Sequence, residues 1–197
     1  MGVIRPSLRL LLALPLFAAL VVGACGGEGD GGEDGLQPRA LPSSASSPKD
    51  LPKPLADNRA QANQIIDGAT EALEAKLAEL RGHPVVVNQW GSWCPPCRAE
   101  FPFFAESAVE HADEAAFIGV DIQDDRGAAV EFLDEFPTPY PHIFDEGSDA
   151  VSSLGWRGFS PTTWFIDERG EIAHQRDGAY PDRETLEADI SNFLLRG

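Results

Sequence analysis

Cysteine is scarce in this chain, with three among 197 residues. Cys25 stands alone and Cys94 and Cys97 stand together, so there is no framework of structural disulfides and the fold must be held by its core. Basic side chains are few as well: 15 Lys and Arg against 32 Asp and Glu, a formal net charge of -17. That balance makes nucleic acid and anionic lipid surfaces poor partners and favours neutral or cationic ones. The apolar run at residues 10–22 falls well short of the roughly 20 residues that a membrane-spanning helix needs. Methionine occurs once, at the initiator, and the four histidines form no tract, which counts against a Met-rich or His-rich metal carrier. Internal repeats and long charge blocks are absent too.

What is present begins with a leader. Arg5 and Arg9 precede the apolar run, and Val22-Gly23-Ala24-Cys25 closes it with small residues ahead of a cysteine. This resembles a bacterial lipoprotein signal. The resemblance implies a signal peptide at 1–24, cleavage before Cys25, a diacylglycerol on the Cys25 sulfur and an extracytoplasmic protein held to the cell membrane by that lipid. The mature chain would carry 13 basic and 32 acidic side chains, a formal charge of -19, because the leader holds two Arg and no acid. Residues 25–56 are rich in Gly, Asp, Glu, Ser and Pro, a composition that reads as a disordered tether. About 30 flexible residues reach about 30 Å, enough to hold a small domain clear of the headgroups. Residues 57–197 are then the folded domain, long enough to build one core unaided.

Within it, Ile65, Ile66, Ala69, Leu73, Leu77 and Leu80 recur at helical spacing and predict a helix closed by Gly82. The unbroken apolar run 85–90 predicts a central strand covered on both faces. A helix follows from the Cys pair to about residue 111, with Pro102 predicted to kink it. Next come a strand at 116–122, a helix at 127–136, a strand at 142–144 and a short helix at 149–154. This alternation argues for a mainly parallel sheet with helices on both faces. The strands 162–166 and 172–174 are joined by Asp167-Glu168-Arg169-Gly170, a hairpin turn, and a closing amphipathic helix spans 185–195. The fold class is an α/β sandwich of three layers.

The chemistry is concentrated in Trp93-Cys94-Pro95-Pro96-Cys97. A strand that delivers Cys-x-x-Cys to the start of a helix points the first sulfur at the positive end of the helix dipole, which lowers its pKa and makes it a nucleophile. Cys97, one turn later, sits where it can attack a mixed disulfide and release the substrate. As a structural staple the pair would close almost no loop entropy. Zinc wants four ligands, and His83 and His111 are not at ligand spacing, so no metal site is expected there, although two thiolates could still hold Cu(I). Pro95 and Pro96 lack N–H groups that might have bonded the Cys94 sulfur, which favours a reductant; Arg98 and the dipole push the other way. Glu100 lies one helical turn after Cys97, close enough to exchange protons with the pair, or it is simply a solvated helix carboxylate.

The segment Trp93-Cys94-Pro95-Pro96-Cys97-Arg98-Ala99-Glu100-Phe101-Pro102, together with Ser160-Pro161-Thr162-Thr163-Trp164-Phe165-Ile166-Asp167-Glu168-Arg169-Gly170, resembles the membrane-tethered thioredoxin-like proteins of the TlpA/ResA type. The resemblance covers roughly residues 60–195. It implies a thioredoxin-like fold whose central mixed sheet carries an inserted helix and strand, supplied here by 127–144. It also implies catalytic roles for Cys94, Cys97 and Glu100, and a cis Pro161 facing the pair. The Ser160 backbone would then be free to pair with an extended client segment, within an apolar rim of Trp93, Pro95 and Phe159. Where thioredoxin has a buried Asp, this chain has Asn88, which cannot titrate. Trp90, Trp156 and Trp164 read as packing residues, and the histidines as structural or surface ones.

The function expected is a membrane-anchored, extracytoplasmic thiol-disulfide oxidoreductase, a monomer without cofactor that reduces client disulfides, apocytochrome c among the possible clients. Its electrons would come from a membrane reductant of the DsbD/CcdA kind, as the resemblance implies. A disulfide-forming oxidase would use the same residues in reverse, and a Cu(I)-binding assembly factor would use the two sulfurs as ligands.

Overall fold

The structure, a computed structural model, describes residues 50–196. The expected signal peptide, the acylated Cys25 and the tether up to residue 49 lie outside the described residues. Among those described, no helix is long and apolar enough to cross a membrane.

The elements in chain order are α1 (Lys53–Arg59), β1 (Ile65–Asp67), α2 (Ala69–Glu79), β2 (Val85–Trp90), α3 (Pro95–Glu110), β3 (Ala116–Ile122), α4 (Arg126–Glu135), β4 (His142–Asp145), α5 (Asp149–Ser153), β5 (Thr162–Ile166), β6 (Ile172–Asp177) and α6 (Arg183–Ile190), which runs into a π-helical turn at Ser191–Leu195. One six-stranded sheet has the order β1-β4-β3-β2-β5-β6. The first four strands in that order are parallel, and β5 and β6 are antiparallel to their neighbours, so the sheet is mixed. The thioredoxin-like α/β architecture, with α4 and β4 as the inserted pair, is the one expected.

Alternation along the central strands sorts side chains to two faces. Val85, Val87, Ile118, Val120 and Ile122 pack with Leu73 and Leu80 of α2, with Ala150 and Val151 of α5, and with Trp164. Val86, Phe117 and Phe165 point to the opposite face, against Phe104 and Ala108 of α3 and Leu186 and Ile190 of α6. Farther along that face, Trp90 packs with Phe101, Phe132, Leu133 and the two cysteines. Strands β2 and β3 are buried at every position, as doubly covered strands must be.

Four expectations are corrected. Ordered structure starts before residue 57: Leu51 and Leu55 are buried, Asn58 donates to the Phe117 carbonyl at 3.0 Å, and α1 therefore belongs to the domain rather than to the tether. Ile65 and Ile66 are not helical. They form β1 beside β4, and Gly68, with φ +121°, separates them from α2; their helical spacing coincided with a β-branched pair that the sheet edge takes up. Strand β6 extends to Asp177 because β5 offers it partners that far, from Ile172↔Ile166 to Asp177↔Thr162. The closing helix starts at Arg183, where the Asp182 side chain caps it by accepting from the Thr185 N–H, and changes to the π-helical turn after Ile190. Pro102 lies inside α3, which continues through it as one element.

The α3–α6 contact carries a charge network. The His111 ring meets Glu187 at 2.6 Å and Glu114 at 2.8 Å, and Ser107 Oγ donates to Glu187. The Glu187 hydrogen bond outweighs burial and pushes the His111 pKa up to about 9. Burial raises the Glu187 carboxyl, but the bonds from His111 and Ser107 and the nearby Arg183 charge hold it at about 2. The stabilisation due to His111 is thus complete below its ordinary value of 6.5 and lost as pH rises through about 9; that due to Glu187 is present above 4.5 and lost as pH falls through about 2. Replacing His111 with Gln should lower unfolding stability by about 1–2 kcal/mol, discounted for partial exposure. Urea midpoints would show that loss at pH 6 and little of it at pH 10, and an equal loss at both would refute the ionic account.

Candidate active site

Strand β2 ends at Trp90, and Gly91-Ser92-Trp93 carries the chain to Cys94, which caps α3. Pro95 and Pro96 open the helix, where a missing N–H costs nothing in helix bonding. The sulfurs of Cys94 and Cys97 are joined in a disulfide. One N–H reaches Cys94 Sγ, that of Cys97 itself at 3.3 Å, a donor that survives the two prolines. Cys97 is 0% exposed and Cys94 2%, so the small accessible part of the disulfide belongs to Cys94. The Arg98 guanidinium lies 5.0 Å from the centre of the Phe132 ring and 4.8 Å from that of Phe136, and pairs with Glu135 at 2.6 Å.

Glu100 is not a solvated helix residue. It is 0% exposed, its Oε1 accepts from Asn88 Nδ2 at 2.9 Å and its Oε2 from the Tyr180 N–H at 2.9 Å. Burial pushes its pKa up to about 7, against the lowering effect of those two bonds and of the Arg176 charge. Asn88, which cannot titrate, instead holds the carboxyl that can. Tyr180 is fixed in turn by its hydroxyl bond to Asp189 and by Arg176 over its ring.

Strand β5 lies antiparallel to β2 with Gln89 opposite Thr162, which brings Ser160 and Pro161 to the same end of the sheet as the Cys94 loop. The Ser160–Pro161 peptide is cis. Of the three residues expected to form an apolar rim, Trp93 is 48% exposed, Phe159 56%, and Pro95 is also exposed. Trp90 and Trp164 are wholly buried, and Trp156 is half-buried.

Three features were not singled out from the sequence. The Gly91–Trp93 loop is docked on the end of β3: Ser92 donates from N–H and from Oγ to Asp124, and Trp93 Nε1–H donates to the Ile122 carbonyl at 3.1 Å. A Cβ on Gly91 would lie 2.5 Å from Trp93 Nε1, so the indole requires glycine there. Against Trp90 and Phe101, His142 is buried and kept neutral by that burial, its pKa lowered to about 3; Nδ1 accepts from Trp90 Nε1–H at 3.1 Å and Nε2 faces Thr138 Oγ1. The available signal for it was Gly119 inside an apolar strand, where any Cβ would strike the His142 ring. Among the described residues, no group of three or more His, Cys, Asp or Glu could hold a metal ion.

The family model described as Redoxin matches residues 55–190. Over 129 residues the chain is 33% identical to the thiol:disulfide interchange protein DsbE of Pseudomonas aeruginosa, a match that covers 65% of this chain and 69% of that protein. It is 30% identical over 124 residues to the thiol-disulfide oxidoreductase ResA of Halalkalibacterium halodurans, covering 61% and 70%. A solved structure assigned as the DsbE interchange protein of Chlorobium tepidum superposes with a TM-score of 0.55 at 29% identity, over 59% of this chain and 83% of that one.

Proposed function

This chain belongs to the redoxin family and is a thiol-disulfide oxidoreductase of the DsbE/ResA type, and from that premise we propose that it is a lipid-anchored, extracytoplasmic reductant of protein disulfides. The reaction balances in two exchanges. The Cys94 thiolate attacks a client disulfide, forming a mixed disulfide and expelling one client thiolate. Cys97, deprotonated, then attacks Cys94 Sγ, closing the intramolecular disulfide and releasing the second client thiolate; two electrons pass from the pair to the client. Trp93, Pro95 and Phe159 flank the approach, and the backbone N–H and carbonyl of Ser160 accept an extended client strand. Restoring the dithiol takes two electrons from a membrane reductant of the DsbD/CcdA kind, and apocytochrome c cysteines are one class of client that fits. Cys25, carrying the lipid, fixes the place of action.

The direction rests on how little holds a thiolate at Cys94. One backbone N–H points at its sulfur, Arg98 is committed to Glu135, and Glu100 is a carboxyl that resists charge. A pair whose reduced form lacks special stabilisation gives up electrons readily. The test is the reduction potential of the Cys94/Cys97 pair, by equilibration with dithiothreitol or glutathione and thiol trapping. A value at or below about -220 mV, in the range of thioredoxin and the glutaredoxins, is expected; one near the -120 mV or so of DsbA would reverse the assignment to disulfide formation.

A further inference from the structure

The N–H that Tyr180 gives to Glu100 Oε2, at 2.9 Å, belongs to the loop between β6 and α6, and that loop is tied down on both sides of the bond. Before it, Gly178 N–H donates to the Pro161 carbonyl at 2.8 Å. The Tyr180 ring itself is buried, edge-on to Phe104 at 5.8 Å, and its hydroxyl donates to Asp189 of α6 at 3.0 Å. The Arg176 guanidinium lies 4.5 Å from the centre of the same ring and 3.4 Å from the same Asp189 oxygen. Asn88, Thr163 and Arg176 are partners in register across β2, β5 and β6, so their side chains project toward the face that α3 and α6 cover. Arg176 therefore lies on the Glu100 side of the sheet.

We propose that Arg176, stacked on Tyr180 and anchored at Asp189, is a positioning residue for Glu100: it keeps the Tyr180 N–H on Oε2 and holds a positive charge on that side of the sheet. Both effects favour the carboxylate that takes the Cys97 proton. Arg176 acts through Tyr180 and through its field. The inference deepens the proposed thiol exchange and rests on Cys97 being the resolving thiol. In that exchange Cys97 gives its proton to Glu100, and its sulfur attacks Cys94 Sγ. The client sulfur leaves with the electron pair of the broken bond, and Glu100 then passes the proton to solvent.

The groups around Glu100 fix the sign. Asn88 of β2 and Thr163 of β5 do not titrate. Cys97 lies one turn earlier on α3. Tyr140, ahead of β4, and Tyr180 are phenols that burial pushes up, so both stay neutral. Asp189 of α6 is engaged by the Tyr180 hydroxyl and by Arg176. For Glu100 itself burial is the largest influence and pushes the pKa up; the Tyr180 bond, the Asn88 bond and the Arg176 charge pull it back, leaving it at about 7. Two of those three opposing influences depend on Arg176. Its removal therefore raises the pH at which Glu100 becomes a carboxylate.

The experiment follows the Glu100 carboxyl carbon by NMR from pH 4 to 10 in the full chain with the Cys94–Cys97 disulfide closed, a state in which neither of those cysteines titrates. The Glu100 signal is the one missing from Glu100→Gln. The wild type should titrate near pH 7, and the Tyr180 amide proton should shift with the same midpoint. Arg176→Met, which keeps an unbranched stem and loses the charge, should raise that midpoint by about half a pH unit or more, and Arg176→Lys should restore most of it. At pH 5, where Glu100 is uncharged in all three proteins, hydrogen exchange of the Tyr180 amide should be about threefold faster in Arg176→Met, the scale of one weakened hydrogen bond. Single-turnover resolution of a mixed disulfide by Arg176→Met should be about threefold slower than wild type at pH 6 and converge on it above pH 9, a pattern that loosening of the fold does not give. An unmoved midpoint in a folded Arg176→Met, or unchanged exchange of the Tyr180 amide at pH 5, would overturn the positioning role. A Cys97→Ser protein that still releases its client would instead sink the resolving-thiol reading on which it rests.

Discussion

Replacement of Cys97 by Ser should turn the protein into a trap that accumulates as a mixed disulfide with its clients, while Cys94→Ser should form no such adduct and lose turnover to the assay background. The asymmetry follows from access and position. Cys94 holds what exposure the disulfide has, and the N-cap site of α3 places it at the positive end of the helix with one N–H aimed at its sulfur. Cys97 is sealed beneath it against Trp90 and Phe101, so it can reach only the sulfur next to it. Without Cys97 the first exchange proceeds and the second cannot, and the covalent complex persists until an outside thiol cleaves it. Non-reducing gels of the single mutants, followed by identification of the captured chains, check this and name the clients at the same time. Equal adduct yields from the two mutants would show that the order of attack is wrong.

Glu100→Gln should remove a pH inflection near 7 from the resolving step and slow that step about a hundredfold, the lower part of the range for a positioned acid or base. With its pKa near 7, Glu100 becomes a carboxylate in time to take the Cys97 proton, so resolution by the wild type should rise with pH through that value and then level. The mutant tests charge rather than packing. Asn88 Oδ1 has no partner, so a flip of the Asn88 amide lets it accept from the new Gln Nε2 while the Gln oxygen keeps the Tyr180 N–H. Stability should move the other way. A carboxyl raised from 4.5 to about 7 contributes its full stability below pH 4.5 and loses it as pH rises through 7, so at pH 8 the wild type bears a burial cost on the order of 3 kcal/mol that Gln avoids. Urea unfolding at pH 5 and pH 8 reads that difference, and single-turnover kinetics with a mixed-disulfide substrate read the rate. A mutant that resolves at the wild-type rate with the inflection intact would remove Glu100 from the mechanism.

Much of the frame was legible because it is local. Val85 to Trp90 could only be a doubly covered strand, Pro95 and Pro96 could only open a helix, and the turn ending in Gly170, at φ +78°, could only reverse the chain between β5 and β6. The error at Ile65 and Ile66 has a non-local cause: β4, some 75 residues later, supplies the edge that makes them a strand. Leu55 was assigned to a tether because residues that bury it, Ala116 and Ile118 among them, belong to β3, some 60 residues later.

The site divides in the same way. The sequence by itself determined that the two thiols share one turn at the start of a helix, since spacing dictates which groups share a turn, while the roles of Ser160 and Pro161 at the head of β5 came from the family resemblance. Only the tertiary structure decided that Glu100 is sealed from water and bonded by Asn88 and Tyr180, that Arg98 turns toward α4, and that Asp124 holds the Cys94 loop through Ser92. A titratable group takes its character from what surrounds it, and those surroundings are brought together from strands and loops far apart in the chain.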